Sequence, residues 1–260
     1  MKLTHKLCGA ALLAATGVAL AMPNTTKAND LDGSGHIEFT YNTDEDPIIT
    51  DPGNSTGTTI TTGITTTNPG PMGIIGISPL DFDSHDILTS QTQRDYKALL
   101  ITANPDSTEE DKATNTGKFD MQNAVWFQDL RATDSRPYQL TAKISENFKE
   151  KTSGTYLKGA NITYKNINVT STADPSLKPV EKSGTVKLIA GDGATAGGSE
   201  IFVDNRDAAE GVGYGKFELN FGLHSDGTAE EAVMLNIPST TAIGEGDYSA
   251  KITWTMADVI

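Results

Sequence analysis

Two short segments place an aromatic and an aliphatic side chain two residues apart: Tyr138-Gln139-Leu140 and Trp254-Thr255-Met256. In a β-strand, residues i and i+2 share one face. Tyr138, Leu140, Ala142 and Ile144 therefore line up, as do Tyr248, Ala250, Ile252, Trp254 and Met256. The opposite faces carry Gln139, Thr141 and Lys143 on one segment, and Ser249, Lys251, Thr253 and Thr255 on the other. Two uses fit such stripes. They can build the inside of a β-sandwich. Alternatively the two tripeptides lie side by side at one end of it, with Tyr138 and Trp254 partly exposed. There an aromatic face would stack on the apolar C–H surface of a sugar ring, and Gln139, Lys143, Lys251 and the threonines would meet its hydroxyls. Trp126, in AVWFQDLR, has the same two uses, as core or as a second sugar platform.

Other reactive groups are dispersed. Asp81, Asp83, His85 and Asp86 form a dense cluster after an apolar run, which suits a turn better than a cation site. The stretch from Asp30 to Glu38 starts like a calcium loop but has Tyr41 where a bidentate Glu is needed. The histidines beyond the leader, His36, His85 and His224, are far apart, and no zinc-type His/Cys spacing exists. No Gly-x-Ser-x-Gly elbow occurs, and the glycines of GVGYG (211–215) lack the dinucleotide-loop spacing. Acidic residues abound, but nothing in the pattern sets two of them face to face as a glycosidase needs. No catalytic residue, metal ligand or cofactor is assigned, and an enzyme is not expected.

The elements that would hold the tripeptides are short strands between Gly/Pro/Asn/Asp/Ser turns. Candidates are 74–82, 96–102, 124–131, 138–145, 159–169, 185–189, 216–221, 233–237 and 248–256. No stretch has helical apolar spacing over three turns. The expectation is an all-β, antiparallel β-sandwich of about nine or ten strands. Ahead of it, residues 29–41 end in a strand-like HIEFTY. Residues 42–72 are a Thr/Gly/Pro-rich loop or linker, and 73–260 form the sandwich domain.

Residues 1–28 read as a secretory signal peptide. Lys2 and Lys6 precede an uncharged Ala/Leu-rich stretch too short for a bilayer span of about 20 residues, and Pro23 follows. Cleavage fits Ala28 best, with Ala21 as the competitor. Cys8, the one cysteine, lies in the leader, so the mature chain is expected to have neither disulfide nor lipid anchor. No hydrophobic tail or sorting motif follows the strand-like 247–260 segment, so retention outside the cell is expected to depend on the folded surface. The formal charge is −14, and cleavage at Ala28 would remove three lysines more. That sign excludes nucleic acid, which needs clustered Lys/Arg, and argues against anionic lipid. No membrane span is expected after cleavage.

The tripeptides with their flanks resemble the WxL-domain cell-wall proteins of low-GC Gram-positive bacteria, of the small, WxL-only type. Thr253–Asp258 (TWTMAD) is similar to that family's C-terminal Trp-x-Leu motif followed by Ser/Ala-Asp. Asp134-Ser135-Arg136-Pro137-Tyr138-Gln139-Leu140 is similar to its first motif, Asp-x-Arg-(Gly/Ala)-Trp-x-Leu. GIIGISPLDF (73–82), LKGANITYKNINVT (157–170) and Ile237-Pro238 share its texture. Tyr138 replaces Trp and Met256 replaces Leu, which keeps the aromatic-x-apolar chemistry. The resemblance implies an exported surface protein attached non-covalently to peptidoglycan, with Tyr138, Leu140, Trp254 and Met256 in the wall-binding motifs. It also implies as partners other WxL proteins and a membrane-anchored surface protein.

Overall fold

The computed structural model describes residues 36–41, 49–50, 59–60, 64–87, 94–103, 118–171 and 174–259. The segment read as a signal peptide and the beginning of the calcium-like loop lie outside these residues. The chain divides into two compact units, residues 1–40 and 41–260. In the first, residues 36–40 belong to no strand, and Ile37 and Phe39 are exposed. The strand expected over 36–41 is therefore not formed. Tyr41, in the second unit, instead donates its hydroxyl proton to Asn68 Oδ1 (2.8 Å) and accepts from Gln128 Nε2 (2.9 Å).

Among the described residues the second unit has sixteen strands and no α-helix. In chain order the first eight are β1 (Ile49–Thr50), β2 (Thr59–Ile60), β3 (Thr65–Thr66), β4 (Met72–Ile77), β5 (Asp95–Lys97), β6 (Ile101–Ala103), β7 (Phe119–Met121) and β8 (Ala124–Asp129). Then come β9 (Tyr138–Glu150), β10 (Asn161–Tyr164), β11 (Ile167–Thr170), β12 (Val186–Ile189), β13 (Glu200–Asp204), β14 (Gly215–Phe221), β15 (Val233–Asn236) and β16 (Tyr248–Asp258). Every pairing is antiparallel. The main sheets run β11-β14-β8-β4-β3, β12-β10-β15-β5 and β13-β9-β16, beside the pairs β1-β2 and β6-β7. The fold is all-β, as the turn-and-run pattern predicts.

The strand number exceeds nine or ten partly because two expected strands break. The run 159–169 divides at Lys165-Asn166, where Asn166 takes a left-handed φ of 51° and its side-chain amide donates to the Thr228 carbonyl. Asn tolerates that conformation better than most residues. The corner lets β10 and β11 join different sheets. The run 96–102 likewise splits into β5 and β6. Within the Thr/Gly/Pro-rich tract, β3 pairs with β4 and Ile49 is buried.

β8 lies between β14 and β4, and all its residues are buried. Because successive side chains point to opposite faces, it feeds two cores. Val125 and Phe127 join the large core shared by the three main sheets. Ala124 and Trp126 join a smaller one with Ile49, Ile75, Ile101, Ala103 and Met121.

Candidate functional site

β9 and β16 are neighbours, so the fold places the two tripeptides against each other. Leu140 pairs with Met256, Ala142 with Trp254, and Tyr138 with Asp258. Closer to the start of β16 the register shifts twice between Ser249 and Ile252, through bulges. Bulges of this kind bend a strand and add twist. On its other edge β9 pairs with β13, whose Phe202 and Val203 are fully buried. The run pattern does not single out β13, although EIFVD between Gly197-Gly198 and Asn205 has the β-branched and aromatic content of a strand.

The aromatic residues face inward. Tyr138 and Leu140 are 0% exposed and Trp254 is 9% exposed, while Met256 is half-buried against the core. Of the two uses open to these stripes, the inside of the sheet packing is the one formed, and the partly exposed placement of Tyr138 and Trp254 is not. Alternation puts both on the inner face, where burying a large apolar side chain contributes roughly 1.5–3 kcal/mol. Trp254 packs 4.6 Å from Phe202, 6.0 Å from Phe221 and 6.1 Å from Tyr164, ring centroid to centroid. Those partners lie on β13, β14 and β10, so one indole joins all three main sheets. Tyr138 meets Phe127 edge-on at 6.3 Å. Trp126 is also buried, in the smaller core, so none of the three is a sugar platform in this arrangement.

The Tyr138 hydroxyl is buried and has no hydrogen-bond partner. Burial, and secondarily the Asp129 charge, push its pKa far above the usual phenol range. Gly213 closes over this ring with φ +88°, and a Cβ there would come within 3.0 Å of Tyr138 Cε1 and closer still to Asn205. That position needs glycine. Asn205 ties the region together: its amide nitrogen donates to the carbonyls of Arg136 (2.8 Å) and Val212 (3.1 Å).

Asp258, in the TWTMAD segment, acquires a role that spacing alone does not reveal. Arg131 reaches it from the end of β8, with Nη1 2.7 and 2.8 Å from its two oxygens. Nε and Nη2 of the same guanidinium bond the two oxygens of fully buried Asp129, at 2.9 and 2.6 Å. Hydrogen bonding to Asp129, opposed by burial and aided by Asp258, raises the Arg131 pKa further. The clasp locks the end of β16 to β8.

The outer face of β9 and β16 is polar. Gln139, Thr141, Lys143 and Ser145 are half-buried there, beside exposed Lys251 and Thr255. Thr253 donates to Ser145 (2.7 Å), and Ser145 to the Lys251 carbonyl (3.1 Å). Gln139 hydrogen-bonds Asp204, whose pKa is lowered first by Arg206 and further by this contact. Lys251 lies 3.5 Å from Glu146. Such a face presents hydroxyl, amide and ammonium groups.

A cleft of about 1030 Å³ opens between residues 77–87 and 243–252, with Trp254 and Phe148 among its lining residues. The Asp81–Asp86 cluster rims it outside any strand. Asp83 takes φ 61°, its amide donates to Asp81 Oδ1 (2.9 Å), and its own carboxylate accepts from Ser84 N (2.8 Å). His85 stacks 4.5 Å from Tyr96 and donates through Nε2 to the Phe82 carbonyl. Among the described residues no group of three His, Cys, Asp or Glu is placed to hold a metal ion, and no helix is long and apolar enough to cross a membrane.

Neither a curated protein nor a solved structure matches this chain. A family model does: the WxL domain, described as surface cell wall-binding, matches residues 26–259. That match takes in both tripeptides, Asp258 and nearly all of the sequence, and the chain belongs to the WxL-domain family of surface cell wall-binding proteins.

Proposed function

We propose that this protein is an exported, non-enzymatic module that attaches non-covalently to peptidoglycan. The observation that carries the reading is the match to a cell wall-binding family over residues 26–259. The pairing of Leu140 with Met256 and Ala142 with Trp254 agrees with it, because both motifs serve one sheet. In this reading Tyr138, Leu140, Trp254 and Met256 act from inside. They hold the β13-β9-β16 sheet so that Gln139, Lys143, Lys251 and the threonines present a fixed outer face.

The test is sedimentation of the full chain with purified, acid-stripped peptidoglycan. Capture in the pellet is expected. Recovery wholly in the supernatant, from protein with native β circular dichroism, would refute the proposal. Trp254→Ala is expected to destabilise by about 3–5 kcal/mol. Its loss of capture therefore counts only if the variant still melts cooperatively.

A second reading has its own observation. β16 is an edge strand eleven residues long, paired in its sheet with β9 alone among the described residues. Open edges accept strands from other chains. A protein partner, such as another WxL protein or a membrane-anchored surface protein, would then retain the chain. Crosslinking on intact cells that captures such a partner, with no sedimentation on bare peptidoglycan, favours this reading.

A further inference from the structure

Tyr214 is the only exposed Phe, Tyr or Trp among the described residues of the 41–260 unit, at 42%. It stands in a shallow pocket of about 290 Å³ with Asp134, Arg136, Leu177 and Glu210. That size is at the lower end of ligand sites.

Arg136 is the unusual member. It is 8% exposed, and its guanidinium carbon lies 4.8 Å from the centre of the Tyr214 ring. Nη2 donates to the Arg131 carbonyl (2.8 Å), while Nε is buried without a partner. No carboxylate pairs with this cation among the described residues. The pocket is also braced: Gly211 N donates to the Asp134 carbonyl (3.1 Å), Gly213 N to the Leu177 carbonyl (2.7 Å), and Tyr214 N to the Gly211 carbonyl (3.2 Å). The platform is built before any ligand arrives.

The mixture of groups selects the ligand. An anion would meet Arg136 but also two exposed carboxylates, Asp134 and Glu210, on a chain of net charge −14. A cation would meet a buried guanidinium. A neutral ring with hydroxyls on its rim satisfies all three: its oxygens accept from Arg136, its hydroxyls donate to Asp134 and Glu210, and its C–H face lies on Tyr214. We propose that this pocket is a carbohydrate subsite, with Tyr214 as the stacking platform for one amino-sugar ring of a glycan strand. The proposal rests on the wall-binding reading and assigns the contact to the glycan rather than to the stem peptide.

The experiment titrates the full chain with a soluble oligomer of N-acetylglucosamine, and in parallel with a synthetic stem pentapeptide, following backbone amides by NMR. Saturable shifts at 133–136 and 210–214 are expected with the oligosaccharide and not with the peptide. Tyr214→Ala should weaken oligosaccharide binding at least tenfold with unchanged melting, and Tyr214→Trp should retain it. Glu210→Gln, at an exposed position, should weaken it several-fold and serves if the alanine variant misfolds. Absence of oligosaccharide binding by the wild type, equal binding by Tyr214→Ala, or saturation by the peptide alone overturns the subsite. Sedimentation with stripped peptidoglycan separates the failures. Capture that persists leaves wall attachment standing without this pocket; capture that is also absent removes both.

Discussion

The phenol of Tyr138 has its ring in an aromatic contact and its hydroxyl in none. An unsatisfied buried hydroxyl costs roughly 1–3 kcal/mol. Tyr138→Phe is therefore expected to leave the fold intact and to move the denaturation midpoint upward, by about 1 kcal/mol or more. A drop in midpoint would mean that the hydroxyl has a partner after all. The same residue shows how far the sequence is legible. Alternation in Tyr138-Gln139-Leu140 gives which side chains share a face, and the structure agrees. It does not say whether that face meets solvent, because that depends on Phe127 and Gly213, from β8 and a distant loop. Arg136 was legible only as a motif letter, since its stack on Tyr214 depends on a loop more than seventy positions away.

At the scale of elements, two devices hold β9 and β16 in place, and each makes a prediction. The Arg131 clasp is asymmetric: the Asp129 side chain is 0% exposed and that of Asp258 52%. Removing one partner of a buried pair costs about 3–5 kcal/mol, whereas an exposed pair contributes about 0.2–1 kcal/mol. Arg131→Ala should thus lower the urea midpoint far more than Asp258→Asn, and equal effects would show that the buried half adds nothing. At the other end of β9, Glu150 accepts from the amides of Ser153 and Thr152. Those bonds, with Ser153 the larger contributor, lower its pKa to about 2. A depressed carboxylate pKa adds stability above the unfolded value near 4.5, and that stability is lost as pH falls toward 2. Melting temperature should fall across this window, and Glu150→Gln should flatten that part of the profile. An unchanged acid limb in the variant would assign the loss to other groups. The Glu150 bonds are local in sequence, but the Arg131 clasp is not readable from spacing. Arg131 and Asp258 are 127 positions apart. β13 lacks the polar alternation that marks a half-exposed strand, since two of its middle residues are buried in succession.

Across the whole molecule, charge separates two ways of holding a wall. The chain has 34 acidic and 20 basic residues. If capture depends on stacking and neutral hydrogen bonds, it should stay level or rise as salt goes from about 10 to 150 mM, where the Debye length shrinks from roughly 30 to 8 Å. A steep loss over that range would point to ion pairing instead. The all-β class was legible because it follows from many local signals that agree: β-branched runs, turn residues and absent helical periodicity. Membership of particular sheets was not. It is decided by corners such as Asn166 and by which distant strands find one another.

Thr141 and Thr255, in contact across the β9–β16 ladder, stand 114 residues apart. Closing so long a loop precedes any reward from the contacts it brings, which places such topologies among slow folders, on the order of milliseconds to seconds. Until then the inner stripe of β9 lacks one of its two flanking strands. A polypeptide that stops before residue 248 therefore leaves one edge of β9 without its partner, and the β13-β9-β16 sheet is complete only once β16 is present.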